Sequence, residues 1–381
     1  MSETYGRPPG DAPDHPEPDP RLAGYPPPPL PGPMAQNSPQ PATLPPYGWT
    51  PSPRPPALPT EPQRYPQLLR GPRRRWWKPL LAALLALGLY VVASFLTLVP
   101  PVVVGLATGQ SNLVSYVITT ITDTAHLGPV GFVALNLSLI LLIPTTTLSI
   151  WIVYGVRPRF VAAVTGGLRW RWLLRCLAIT VPVWLLYVGL GVLTDPPEPG
   201  RPAHWVALLL IMVVMTPLQA AGEEYFFRGF ILLNVGSWFA RPVVGLVVGT
   251  TVSAVLFAAA HGSPDIWVLG SIACLAVASC LAAWRTGGLE AGIAMHATNN
   301  VLVFVVSIGI GGWQTAFVGS DTKGTPGEFG LALAVHGVAL ALIWWQAKRS
   351  GLANRSRPAA RPAPMPGWPP VGPRPPGPEP R

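Results

Sequence analysis

Two adjacent carboxylates and an arginine interrupt an otherwise apolar run, in the order Ala221, Gly222, Glu223, Glu224, Tyr225, Phe226, Phe227, Arg228. An ionisable side chain near the centre of a membrane helix costs about 2.5–3.5 kcal/mol on insertion scales, so such groups persist where something uses them. On a helix Glu224 and Arg228 are four apart and share a face, with the acid N-terminal to the base, a favourable ion-pair order. Glu223 points about 100° away from Glu224 by the helical repeat. That spacing suggests that Arg228 neutralises Glu224 and leaves Glu223 free for proton transfer. The competing explanation is a structural charge cluster that holds two helices together.

Three more polar positions fall in apolar surroundings. His261 follows Val255-Leu-Phe-Ala-Ala-Ala260, with Phe257 one turn before it. The small residues suit close helix packing, and a capping or packing histidine is the plain alternative there. His296 and Asn300 are again four apart and on one face, whereas Asn299 is expected to point elsewhere; an interhelical hydrogen bond is the plain alternative for this pair. His336 has no polar companion three or four residues away and is read as structural. His204 is placed at an interface, and His15 and His126 lie outside the apolar runs.

The elements that must carry these residues follow from composition. The chain has 381 residues, 49% hydrophobic and only 11% charged, with a mean hydropathy of +0.38. Soluble domains carry about a quarter charged residues, so lipid is the expected solvent. About 20 apolar residues cross a bilayer core. Eight runs qualify, at 79–106, 128–154, 173–194, 204–235, 242–261, 265–284, 288–312 and 327–346. The fold class is therefore all-α, a polytopic transmembrane helical bundle of about eight spans. Pro100 and Pro101 should kink or end the first span. Segment 107–127 reads as a loop with a short interfacial helix.

Residues 1–72 and 348–381 are rich in proline and read as disordered cytoplasmic tails of polyproline II character. The run Pro26–Pro29 could dock a proline-binding module. Between the tails, 73–169 holds the N-terminal spans and 170–347 the core. No cleavable signal peptide is expected, because the first apolar run begins only near residue 79. Cys176, Cys274 and Cys280 sit in apolar stretches without paired spacing and read as small buried hydrophobes.

The net charge of +10 does not imply nucleic acid, because the basic residues sit at the ends of apolar runs rather than on one face. Arg73, Arg74, Arg75 and Lys78 precede the first span. Arg157, Arg159, Arg169 and Arg171 lie between the second and third, Arg241 between the fourth and fifth, and Arg285 between the sixth and seventh. Lys348 and Arg349 follow the eighth, whereas the alternate loops hold Arg201 and Lys323. Basic loops stay in the cytoplasm. This predicts a multi-pass protein of the cell membrane with both termini cytoplasmic. Counted from the expected cytoplasmic ends at 1.5 Å per residue, Glu223 lies about 18 Å deep, His296 about 12 Å and His261 about 28 Å. A shared pocket opening to the cytoplasm is the expectation.

These residues resemble the CPBP family, the CAAX prenyl endopeptidases and Abi-type bacteriocin-processing proteins. Three motifs match in order: Glu-Glu-x-x-x-Arg at Glu223, Glu224 and Arg228, Phe-x-x-x-His at Phe257 and His261, and His-x-x-x-Asn at His296 and Asn300. The resemblance covers about residues 170–312. It implies an intramembrane endopeptidase acting on a membrane-embedded or lipidated, CAAX-like, protein or peptide, with Glu223, Glu224, Arg228, His261, His296 and Asn300 as the site. Two mechanisms stay open. Glu223, His261 and His296 could hold zinc with one open position. Alternatively, with no cofactor, Glu223 with His261 activates water while His296 and Asn300 donate to the oxyanion. The second gives every motif residue a role and is preferred. A scaffold or immunity protein binding a peptide on the same cluster is a rival from another class, and a proton-relay transporter is another. No inverted repeat or broken span pair supports the transporter.

Overall fold

The computed structural model describes residues 54–123 and 126–360. Eight helices are long and apolar enough to cross a membrane, so the chain is a multi-pass membrane protein. In chain order these are α1 (Lys78–Ala107), α3 (Pro129–Tyr154), α4 (Trp170–Thr194), α5 (Trp205–Trp238), α6 (Pro242–Ala259), α7 (Ile266–Thr286), α8 (Glu290–Gly309) and α9 (Pro326–Arg349). The short helix α2 (Leu113–Thr122) lies between α1 and α3. No strand occurs among the described residues. Every span boundary read from the apolar runs falls within three residues of the observed one.

Prolines act where expected. In α1 the turn Phe95–Leu98 tightens to a 3₁₀ helix before Val99, and helix resumes through Pro100 and Pro101 at its first turn. A proline is tolerated there because its missing N–H would be unsatisfied anyway. Pro129, Pro242 and Pro326 start α3, α6 and α9 in the same way. The segment Phe227–Leu232 of α5 is a π-helix, a register that occurs chiefly as short insertions and often at functional sites. Ser253 on α6 donates to the Phe227 carbonyl at its start, at 2.9 Å.

Helix α8 is the hub: it packs on α4, α5 and α7, while α5 also packs on α3 and α6 on α7. Gly222 explains how closely α5 approaches α3. A Cβ there would stand 2.0 Å from the Leu139 carbonyl oxygen, so a larger residue must push the two backbones apart.

The two ends of the bundle differ. At the end bearing the basic loops, segment 155–169 folds inward. Val161, Ala162, Ala163 and Val164 are buried, Val164 N–H donates to the Gly287 carbonyl at 2.8 Å, and Leu289 N–H donates to that of Ala162 at 2.9 Å. Arg169 anchors this loop. Its guanidinium places Nε and Nη2 at 2.8 and 2.7 Å from the two oxygens of Glu290, and its backbone N–H meets the same carboxylate at 2.8 Å. Glu290 is fully buried. Arg169→Ala leaves that carboxylate unpaired and is expected to lower stability by about 3–5 kcal/mol. Thermal unfolding in detergent measures the loss, and a melt unchanged by the substitution would refute it.

The expectation of disordered tails needs a correction at its inner edges. Residues 1–53 and 361–381, including Pro26–Pro29, lie outside the described residues. Residues before the boundary at 72 nevertheless join the core: Tyr65, Leu68 and Leu69 are buried. The Tyr65 hydroxyl donates to the Val161 carbonyl, and burial pushes its phenol well above the ordinary value. The Gln67 amide donates to the Gly236 carbonyl at 2.8 Å. On the C-terminal side Ser356 N–H donates to the Gln63 carbonyl at 2.8 Å, and Ala359 N–H to that of Pro59 at 3.0 Å. Composition averaged over a proline-rich stretch hid the Tyr65-Pro-Gln-Leu-Leu69 cluster. The turn packs on the end of α5 and on α6 and α7, and apolar burial of that kind stabilises by roughly 25 cal/mol per Å².

Candidate active site

Glu223, Glu224 and Arg228 lie on α5 around the π-helical segment, and the ion pair read from their spacing is present. Arg228 Nη1 donates to Glu224 Oε1 at 2.9 Å, with both side chains fully buried. Room for the carboxylate comes from α8, where a Cβ on Gly292 would stand 2.5 Å from Glu224 Oε2. The other side of the guanidinium lies over the Phe257 ring, 4.6 Å from its centroid. A cation over an aromatic face is attracted by the ring quadrupole, more so when desolvated. The same ring meets those of His261 and His296 edge-on, at 4.9 and 5.5 Å between centroids. Phe257 therefore ties the second motif to both of the others.

His296, from α8, stands between the two acids. Its Nδ1 is 3.1 Å from Glu224 Oε1 and its Nε2 is 3.2 Å from Glu223 Oε2. Two N–H donors reach one oxygen of each carboxylate, and an imidazolium with Arg228 balances the charges of Glu223 and Glu224, while Glu224 Oε2 and Arg228 Nε and Nη2 have no hydrogen-bond partner among the described residues. This changes one expectation. Neither nitrogen of His296 is free to face an oxyanion while both are held by carboxylates. His261 instead offers an open nitrogen: its Nδ1 donates to the Phe257 carbonyl at 2.8 Å, and its Nε2 makes no hydrogen bond among the described residues. The pairing therefore differs from the sequence expectation, with His296 rather than His261 in contact with Glu223.

A line of side-chain amides leads away from Glu223. Trp184 Nε1 donates to Asn299 Oδ1 at 3.0 Å, and Asn299 Nδ2 to Asn300 Oδ1 at 3.1 Å. Asn300 Nδ2 donates to Gln219 Oε1 at 3.1 Å, and Gln219 Nε2 to Glu223 Oε2 at 2.7 Å. An indole is a donor only and an ionised carboxylate an acceptor only, so the chain of bonds has one sense and all three amides are oriented. Asn300 keeps one N–H beyond the relay. Gln219 sits one turn before Glu223 on the same helix face, a spacing visible in the sequence. Asn299, expected to point elsewhere, is the link between Trp184 and Asn300.

Gln219, Glu223, Asn299 and Asn300 line a cavity of about 470 Å³ together with His261 and His296. Glu223, His296, Asn299 and Asn300 lie toward the middle of their helices. His261, just past the end of α6, and Phe317, in the loop before α9, lie toward one end. His336 is in the wall, its Nδ1 donating to the Ala332 carbonyl at 2.7 Å and its ring edge-on to Trp184. The expectation of a cytoplasmic opening and that of cytoplasmic termini are incompatible here. The cavity occupies the half of the bundle carrying loops 195–204, 260–265 and 310–325, away from the basic loops. The sequence estimate did place His261 farthest from the basic end. It could not show that loop 155–169 and residues 65–69 fill that end.

Of the zinc set Glu223, His261 and His296, all three line the cavity, and Glu223 and His296 are in contact. His296 directs Nε2 at Glu223 itself, and no group of three His, Cys, Asp or Glu side chains among the described residues is placed to hold a metal.

Comparison with known proteins bears on the same segment. Residues 203–302, which contain all three motifs, match the family model described as type II CAAX prenyl endopeptidase, Rce1-like. The resemblance to that family read from the motifs is thereby borne out, and the match supports an enzyme of protease type. A curated relative, the uncharacterized protein YyaK of Bacillus subtilis, is 26% identical over 155 residues, or 39% of this chain. The chain spans about half the length of that relative, at 51%. No solved structure matches.

Proposed function

We propose that the chain is an intramembrane endopeptidase that hydrolyses a peptide bond of a membrane-associated protein or peptide with water activated by Glu223. The observation that carries this is the charge-balanced group of Glu223, Glu224, Arg228 and His296, of which Glu223 and His296 line a cavity large enough for several residues of peptide while the Glu224–Arg228 pair is fully buried behind them. A structural clamp explains Glu224 and Arg228. It does not explain a second carboxylate, oriented by Gln219 and His296, at the surface of a cavity inside a membrane.

In the proposed reaction, water sits between the Glu223 carboxylate and the scissile carbonyl carbon. Glu223 takes one proton as the water oxygen bonds to that carbon. The carbonyl oxygen becomes an oxyanion, faced by the remaining N–H of Asn300 and, when both nitrogens of His261 carry a proton, by its Nε2–H. When the C–N bond breaks, the proton held by Glu223 passes to the leaving nitrogen. His296 and Gln219 hold and aim the Glu223 carboxylate, and Arg228 pairs with Glu224.

Peptidomics of membranes containing the intact protein against the Glu223→Ala variant tests the activity. New peptide termini are expected only with the intact protein, and identical profiles would reject a peptidase. The mechanism has its own test. Asn300→Ala should depress kcat by about 10²–10³ with a modest change in KM, because the donated bond matters once charge develops on the oxyanion. One tightly held zinc per chain, together with an Asn300→Ala enzyme of normal turnover, would reject water activation by glutamate in favour of metal hydrolysis.

A further inference from the structure

We infer that the cavity receives its peptide from the extracytoplasmic face of the membrane, as an apolar segment embedded in or tethered to the outer leaflet. Three independent observations carry this.

The first is where the cavity lies. Phe132, Asn136 and Leu139 line it from the half of α3 near residue 129, Ser271 and Ile272 from the start of α7, and Val303 and Phe304 from the latter half of α8. Ala316, Phe317 and Val318 come from the loop joining α8 to α9. All of these belong to one end of the bundle, and none comes from the loops at the other end.

The second is that the other end is closed. Below Glu224 and Arg228 lie the buried residues Val161 and Leu289, and beneath them Tyr65, Leu68 and Leu69. Gly229, one residue past Arg228, has no room for even a Cβ, which would meet the Val161 side chain at 2.8 Å. A peptide entering there would have to displace packed core.

The third is charge. The closed end carries Arg157, Arg159, Arg169, Arg171, Arg241, Arg285, Lys348 and Arg349, whereas the loops at the open end carry Asp195, Glu198, Asp265 and Asp321 against Arg201 and Lys323. Basic loops are retained in the cytoplasm, and short loops dominate the choice. The open end therefore faces out. Packing adds a lateral route: α6 meets α5 through the π-helical segment and the last turn, near the closed end. Toward the open end, Leu210, Val213, Val214 and Leu218 on α5 and Val255 and Leu256 on α6 are exposed apolar residues. An apolar segment in the outer leaflet can reach the cavity without crossing the membrane, whereas a lipidated cytoplasmic tail is on the wrong side.

The orientation stands on its own, and the identity of the occupant rests on the peptidase proposed above. The experiment separates the two. Val318→Cys, at the cavity mouth, and Arg157→Cys, in a basic loop, are each labelled with a membrane-impermeant maleimide in intact cells, with the unsubstituted protein as blank. Val318→Cys should react in intact cells, and Arg157→Cys only after permeabilisation; the reverse pattern would overturn the inference. In the peptidomic comparison, Glu223-dependent termini should map to extracytoplasmic or outer-leaflet segments of their parent proteins, and cytoplasmic termini would overturn it. A complete lack of Glu223-dependent termini, with labelling as expected, would uphold the orientation and overturn the peptidase.

Discussion

Glu223→Gln should abolish peptide hydrolysis while leaving the amount of folded protein close to that of the unsubstituted chain. Glutamine keeps the size and the hydrogen-bonding capacity of the side chain, so Gln219 and His296 retain a partner at that position. What it cannot do is take a proton from water. Positioned proton transfer contributes typically 10²–10⁴-fold to rate, and here the same group must also return the proton to the leaving nitrogen. The expected loss in kcat is therefore at the upper end, about 10⁴-fold, with KM nearly unchanged because the cavity is unaltered. Single-turnover kinetics on a peptide identified by peptidomics measures it. Retention of more than a tenth of normal turnover would sink the assignment of Glu223. The replaced carboxylate also disturbs the local charge balance, and a modest shift in melting temperature is compatible with the outcome; unfolding is not.

Arg228→Ala should have the opposite signature, loss of folded protein before any question of turnover arises. Arg228 and Glu224 are both fully buried and bonded at 2.9 Å. Removing one partner of such a pair leaves an uncompensated buried charge at a cost of about 3–5 kcal/mol, whereas replacing both with apolar groups of similar volume is often neutral or better. Truncation also removes the guanidinium from the face of Phe257 and leaves a cavity beside the π-helical segment. The double variant Glu224→Gln/Arg228→Met should thus recover much of the stability lost in Arg228→Ala, a non-additivity expected of groups in contact. Thermal unfolding in detergent and the yield of monodisperse protein are the readouts. Additive losses across the pair would mean that the ion pair seen here does not govern stability.

How far this site was legible from the sequence varies residue by residue. The pairing of Glu224 with Arg228 follows from a local rule, because residues four apart on a helix are neighbours whatever surrounds them. The contact of Glu223 with His296 spans 73 positions and depends on how α5 and α8 cross, which no local spacing encodes. Gln219 lay within reach of the same local rule, one turn before Glu223, but an amide in an apolar span draws less notice than a charge. Asn299 lies about 100° from Asn300 around the helix, off the face that carries the His296–Asn300 motif. That angle aims it at Trp184 on α4, where it orders the amide relay. His336, with no local companion, sits in the cavity wall for the same kind of reason, since its neighbour is Trp184 on another helix.

The sequence by itself determined the solvent, the number and limits of the spans, and the three motifs. Each of these depends on local quantities: the length of an apolar run against bilayer thickness, and the periodicity of a single helix. Tertiary structure alone decided which histidine meets Glu223, that the proline-rich flank contributes Tyr65, Leu68 and Leu69 to the core, and at which end the cavity opens. A lipid-embedded helix gains little hydrophobic energy from choosing one neighbour over another. Its partners are set by close packing of small residues and by interhelical polar contacts. At Gly222, Gly292 and His296 those contacts join residues far apart in the chain.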